Sequence, residues 1–138
     1  MPDLSAEIEA VKAVYAAINR NDMAAALRDF DPAIERVEPP GFPGTGTYHG
    51  LEAVRAHFAK ARAAWAEGAC EPRRVIVAGD NVIVLVDVNV RLQTENEWRR
   101  GKVADVFTFR GGKVVLFRTF VDAQQALDWA GVKDPDMQ

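Results

Sequence analysis

The stretch Ala104-Asp105-Val106-Phe107-Thr108-Phe109-Arg110-Gly111-Gly112-Lys113-Val114-Val115-Leu116-Phe117-Arg118-Thr119-Phe120 decides the fold. Two runs of β-branched and aromatic residues flank a Gly-Gly pair, which is a β-hairpin signature. Strands joined by so short a turn are antiparallel. Two registers are open at this level. A two-residue Gly111-Gly112 turn sets Asp105 opposite Arg118, in an ion pair on a polar face. A three-residue Arg110-Gly111-Gly112 loop with a glycine bulge sets Asp105 opposite Phe117. Asp105 then shares a face with Phe107, Val115, Phe117 and Thr119.

Outward from this hairpin the strands are expected over Trp98 to Phe109 and Lys113 to Val121. An earlier hairpin runs from Glu71 to Ala78 and back from Val82 to Leu92 through Gly79-Asp80-Asn81. Before residue 70 the pattern is mainly helical. Leu4, Ile8, Val11, Tyr15 and Ile18 make one apolar stripe, capped by Asp3 or Ser5. Asn21-Asp22 ends that helix and caps a short second one with Met23, Leu27 and Phe30, which Pro32 helps to stop. Ala33 to Glu38 alternates as a strand does, with Ile34, Arg36 and Glu38 on one face. Pro39 to Thr47 holds three prolines and three glycines and reads as an irregular loop, either a surface connector or a lid over a pocket mouth. It lacks the Gly-Lys-Ser/Thr ending of a phosphate loop, which argues against nucleotide binding. Gly50 precedes a third helix that buries Leu51, Val54, Phe58, Ala61 and Trp65 and ends by Gly68. Asp122-Ala123-Gln124-Gln125 reads as a capping box for a last short helix ending at Gly131.

Three helices, a strand and two hairpins make an α+β order. The expected architecture is a cone-shaped, curved antiparallel sheet wrapped around three N-terminal helices, with a short C-terminal helix. Sheet twist leaves a cavity between sheet and helices, suited to a small apolar molecule. The 138 residues, 49% of them hydrophobic, suffice for a single domain over 1–138 with its own core.

The formal net charge of -3 argues against a nucleic-acid partner. Arg99, Arg100 and Lys102 follow Glu95 and Glu97 and read as a solvated hairpin end. Cys70 is the one cysteine, so no internal disulfide forms; it is expected half-buried in a strand. No apolar run approaches the roughly 20 residues that span a bilayer, and no signal peptide is read. A cytoplasmic protein without membrane contact is the expectation. His57 lies at the edge of the third helix's apolar stripe and His49 in the loop before it. Two histidines without a carboxylate at ligand spacing do not make a metal site, and no metal or other cofactor is expected. Trp65 reads as core, and Trp98 as a residue facing a partner subunit.

The element order resembles the nuclear-transport-factor-2-like superfamily, and within it SnoaL-like and ketosteroid-isomerase-like proteins. The resemblance is carried by Asn21-Asp22-Met23, Glu38-Pro39-Pro40-Gly41, Tyr48-His49-Gly50-Leu51-Glu52-Ala53-Val54-Arg55 and Val106-Phe107-Thr108-Phe109-Arg110-Gly111-Gly112-Lys113-Val114. It spans nearly the whole chain and specifies the fold better than the reaction.

The resemblance also implies a site. Glu38-Pro39 is similar to the isomerases' aspartate-proline, whose aspartate is the general base. Asp105-Val106-Phe107-Thr108-Phe109 resembles their motif with a protonated aspartic acid that donates to an oxyanion, the case from which this acid–base logic comes. The implied catalytic residues are Glu38 and Asp105, with Tyr15, Phe30, His57, Phe58, Phe107, Phe117 and Thr119 around the pocket. There are departures. Tyr15 stands one residue from the isomerases' oxyanion tyrosine, and Phe30 and Phe58 replace two supporting tyrosines. Thr119 replaces the last-strand aspartate of the epoxide-hydrolase branch, and Asp87 has Arg74 as its expected structural partner. Arg36, beside Glu38, could hold Glu38 ionised.

Three readings follow: an acid–base isomerase, cyclase or dehydratase acting on a small apolar carbonyl compound; a non-catalytic binder of a lipophilic metabolite; or a dimerising structural subunit. A homodimer is expected under each. The face carrying Val106, Leu116 and Phe120 is apolar enough to form it.

Overall fold

The computed structural model describes residues 5–133. Asp3 and Leu4, expected at the start of the first helix, lie outside the described residues. Helix α1 spans Ser5–Asn19, α2 Met23–Ala26, α3 Leu51–Ala63 and α4 Ala123–Ala130. Strands β1 (Phe30–Glu38), β2 (Gly46–His49), β3 (Trp65–Ala78), β4 (Asn81–Leu92), β5 (Arg99–Arg110) and β6 (Lys113–Phe120) form one sheet in the order β2-β1-β6-β5-β4-β3. All neighbours are antiparallel except β1 and β6, which run parallel.

Local chemistry sets most boundaries. Asn21 at φ 60° breaks α1, and the Asp22 carboxylate accepts from Ala25 N–H at 3.1 Å to start α2. Asp122 caps α4 in the same way, through Gln125 N–H at 2.9 Å, and Gly131 closes it in the left-handed region.

Three boundaries depart from the expectation. The second helix stops at Ala26, so Phe30 belongs to β1, and Pro32 sits where the β1–β6 register shifts. The proline-glycine loop is shorter than it reads, because Gly46–His49 pairs with β1 as β2. Helix α3 ends at Ala63 rather than running on toward Gly68. Gln93 Nε2 donates to the carbonyls of Ala63 (2.9 Å) and Trp65 (3.3 Å) and captures the chain into β3. Trp65 is half-buried beneath the Arg62 guanidinium, at 4.7 Å. Gly68 lies within β3 at φ 123°, where a Cβ would strike the Asn89 carbonyl; only glycine permits the close strand approach.

The deciding hairpin satisfies neither expected register in full. Gly111 and Gly112, at φ 58° and 80°, form the two-residue turn, and Arg110 faces Lys113. The register then shifts by one between Thr108 and Phe109, where Val115 is the extra residue on β6. Asp105 thereby faces Thr119, not Arg118 or Phe117. The bulge still puts Asp105 on the face of Phe107, Phe117 and Thr119, as the glycine-bulge reading required.

The two faces of the sheet are covered separately. On the inner face Ile34, Val82, Val84, Val86, Phe107 and Phe117 pack with Val11, Val14 and Tyr15 of α1 and Val54 and Phe58 of α3. A large apolar side chain as fully buried as Phe107 contributes roughly 1.5–3 kcal/mol. On the outer face α4 lays Ala126 and Leu127 over Ile83, Ala104, Val106 and Phe120. The face expected to mediate dimerisation is therefore partly occupied by the chain's own last helix. Among the described residues no helix is long and apolar enough to cross a membrane.

Candidate functional site

Six polar side chains meet on the inner face of the sheet. Alternation along β1 places Arg36 and Glu38 there, and the bulged hairpin adds Asp105 and Thr119. Helix α1 contributes Tyr15, and α3 contributes His57, one position from the core residue Phe58.

Asp105 is buried and doubly held. The Tyr15 hydroxyl donates to its Oδ2 at 2.6 Å, and the Thr119 hydroxyl to its Oδ1 at 2.6 Å. Burial pushes the Asp105 carboxyl above its ordinary value of 3.8, although Arg36, Thr119 and Tyr15 pull the other way. Burial, with the neighbouring Asp105 charge, also raises the Tyr15 phenol well above 10.0, so Tyr15 stays a neutral donor.

Glu38 shows the opposite balance. Burial raises its carboxyl, but His57 and the Arg36 charge together outweigh burial, and the net displacement is downward from 4.5. His57 Nε2 lies 2.9 Å from Glu38 Oε2, with side-chain exposures of 8% and 15%. The spacing is that of an ion pair, and the contact helps hold the Glu38 carboxyl down. Tyr48 stacks on His57 with ring centroids 4.0 Å apart and donates its hydroxyl to the Gly44 carbonyl at 2.9 Å. The loop consequently lies on the pair. A Cβ on Gly44 would strike Glu38 Oε2 and come within 2.6 Å of His57 Cε1.

Arg36 stands between the two carboxylates. It is 7% exposed, and its Cζ sits 4.2 Å above the Phe117 ring. Nη1 donates to the carbonyls of Val37 at 2.8 Å and Phe117 at 3.3 Å. Burial lowers its pKa, opposed by Asp105 and Glu38.

The aromatic residues expected around the pocket pack on one another. Phe107 and Phe117 stack at 4.3 Å, and Phe30, Phe58 and Phe117 meet edge to face at 5.7–6.3 Å. Glu38 and Thr119 also border a groove of about 490 Å3, together with Pro39, Pro40, Arg118 and Trp129. A larger groove, about 610 Å3, lies elsewhere, along Glu71, Arg73, Asp87, Trp98 and Arg100. In that groove Asp87 pairs with Arg73 at 2.7 Å. Trp98 is exposed, and Arg99 pairs with Glu95 at 2.7 Å at the solvated hairpin end. His49 is exposed, 3.7 Å from Glu35.

Sequence reasoning placed Glu38, Asp105, Tyr15 and Thr119 near one another but missed two relations. One is the His57–Glu38 pair, signalled only by the position of His57 beside Phe58 on the helix stripe. The other is the direct bond from Tyr15 to Asp105, since the resemblance set Tyr15 one residue from the isomerases' oxyanion tyrosine.

Comparison with known proteins agrees with the geometry. No curated protein matches the chain in sequence. Among solved structures it is similar to an NTF2-like protein from Burkholderia thailandensis E264, at 29% identity over 91% of this chain and 96% of that one, with a TM-score of 0.74. It is also similar to TerC, co-crystallised with polyporic acid, at 24% identity over 93% and 100% of the two chains (TM-score 0.76). A Jannaschia sp. CCS1 protein described as a SnoaL-like polyketide cyclase shares 15% identity over 94% of each chain (TM-score 0.75). The family model of the SnoaL-like domain matches residues 11–117, and the chain belongs to that family, within the NTF2-like superfamily.

Proposed function

We propose that the chain is an acid–base enzyme acting on a small, mostly apolar carbonyl compound. The observation that carries this reading is the divergence in surroundings of two carboxyls in one interior: Glu38 lies 2.9 Å from His57, and Asp105 is buried beneath the Tyr15 and Thr119 hydroxyls. Such a divergence separates a proton acceptor from a proton donor. Ionised Glu38 takes a proton from the carbon beside the carbonyl, and the electron pair moves onto the carbonyl oxygen. Protonated Asp105 supplies the hydrogen bond that stabilises this oxygen. It does so through Thr119: the protonated carboxyl donates to the Thr119 oxygen, 2.6 Å away, which leaves the Thr119 hydrogen free to point outward. Thr119 borders the same groove as Glu38, which supports this route. His57 and Arg36 keep Glu38 ionised, and Tyr15 orients Asp105. TerC, which shares this fold, was co-crystallised with polyporic acid, in keeping with a small-molecule pocket here.

The test is deuterium exchange from solvent into the position next to the carbonyl of candidate ketones, followed by NMR. Wild-type protein is expected to accelerate exchange and Glu38→Gln to abolish the acceleration. Equal exchange in both rejects Glu38 as the base.

A second reading is a binder that sequesters an apolar metabolite without turnover. Phe30 and Phe58 favour it, because they stand where the isomerases keep hydrogen-bonding tyrosines and here pack in the apolar core. Native mass spectrometry of protein from its host would show a retained small molecule under this reading.

A further inference from the structure

A base has to be reached by its substrate, and Glu38 Oε2 is buried. His57 Nε2 stands 2.9 Å to one side of it. Gly44 lies against it so closely that a Cβ there would overlap the oxygen. The groove of about 490 Å3 is walled by Glu38, Pro39 and Pro40 but not by Gly44 or His57. What covers the oxygen is therefore the segment that links β1 to β2, residues 39–45.

Little holds this segment down. None of its residues belongs to either apolar cluster of the core, and Pro40, Gly41, Pro43 and Thr45 are exposed. Thr45 N–H bonds the Phe42 carbonyl within the segment at 3.1 Å, and Thr45 Oγ1 donates to the Glu38 carbonyl at its root, at 3.3 Å. Its tip is tied to the site by the Tyr48 hydroxyl, which donates to the Gly44 carbonyl at 2.9 Å while the Tyr48 ring stacks on His57. Gly41 and Gly46 stand at φ 92° and 136°, with open space where a Cβ would be. Glycine at these two points lets the chain pivot.

We propose that residues 39–45 form a lid, closed here over the Glu38–His57 pair, with Tyr48 as its latch. What the lid guards rests on the reading of Glu38 as the base. When the Tyr48–Gly44 bond breaks, the lid lifts on Gly41 and Gly46, and the groove beside Pro39 and Pro40 opens onto Glu38 Oε2. Closing shuts water away from Glu38 again. Tyr48 acts on Glu38 only through Gly44 and His57, so it is a positioning residue.

The two histidines of the chain provide the test, because His49 is exposed and His57 lies under the lid. Diethyl pyrocarbonate acylates neutral imidazole, and peptide mass spectrometry follows both histidines at about pH 8, where an ordinary imidazole is neutral. A thiol-reactive dye on Cys70 reports opening of the core. In wild-type protein His57 should be labelled at least about tenfold more slowly than His49. Its rate should hardly change in urea below the unfolding transition, because lifting a lid exposes little surface. Tyr48→Phe keeps the ring and loses the latch. It should speed His57 labelling about fivefold, the factor that about 1 kcal/mol of hydrogen bond represents, with Cys70 unchanged. Gly44→Ala, whose methyl group prevents closure, should bring His57 near the His49 rate. The lid is overturned by wild-type His57 reacting as fast as His49, by labelling that rises with urea in step with Cys70, or by a Tyr48→Phe rate equal to wild type. The wild-type urea series decides the matter even where a variant does not fold. The labelling needs no substrate, so a lack of deuterium exchange into every ketone overturns the enzymatic reading and leaves the lid standing.

Discussion

Replacing Tyr15 by Phe removes one oxygen from a buried hydrogen bond and leaves the ring in place. The Tyr15 ring meets Phe107 edge to face at 5.9 Å, a contact Phe keeps. The deleted hydroxyl donates to Asp105 Oδ2 at 2.6 Å, so the loss is one hydrogen bond to a carboxyl group. With Asp105 ionised, such a bond is worth about 1.5–3 kcal/mol, and with Asp105 neutral about 1 kcal/mol.

The pH dependence follows from the direction of the Asp105 displacement. Its folded pKa lies above 3.8, so between that value and the folded pKa the native state holds a proton that the unfolded chain has lost. Stability from this group is therefore full below 3.8 and declines as pH rises through the folded pKa. Tyr15 lowers the Asp105 pKa, so Tyr15→Phe raises it and carries the decline to higher pH. As pH is raised from acid to alkaline, the variant should go from about 1 kcal/mol less stable than wild type while Asp105 is protonated to about 1.5–3 kcal/mol less stable once it is ionised. In melting temperature this is roughly 3–5 °C per kcal/mol for a chain of this size. Urea unfolding followed by circular dichroism across that range is the assay. A cost that does not change with pH, or one below about 0.5 kcal/mol throughout, would refute the placement of an ionisable Asp105 under the Tyr15 hydroxyl.

Other outcomes follow from single observations. Gly44→Ala puts a methyl group onto Glu38 Oε2 and His57 Cε1. It should lower stability by about 1–3 kcal/mol in thermal unfolding and abolish the exchange activity, while Gly101→Ala, where a Cβ meets open space, should leave that activity intact. Burial pushes the Cys70 thiol up to about 12 from 9.0. At about pH 8 its thiolate should be roughly a thousandfold scarcer than that of an exposed cysteine. A thiol-reactive dye should therefore label native protein slowly and urea-unfolded protein at the rate of a free thiol; equal rates would contradict the burial.

Apart from β2, the element types and their order were legible in the sequence, as were two of the caps, because these rest on local chemistry. Asn21-Asp22 turns the chain whatever surrounds it, and Asp122 with Gly131 brackets α4. The alternation of Ile34, Arg36 and Glu38 likewise fixed which side chains share a face. Tertiary structure decided the rest. Register depends on the one extra residue at Val115, which no local pattern marks, and that residue brought Asp105 opposite Thr119. The end of α3 depends on Gln93, some thirty residues later in the chain, taking the carbonyls of Ala63 and Trp65. The parallel meeting of β1 with β6 set Arg36 over Phe117, and the packing of α3 on β1 brought His57 to Glu38. Local periodicity told which residues face inward. Which of them touch was decided by long-range pairing, and the site's charges follow from those contacts.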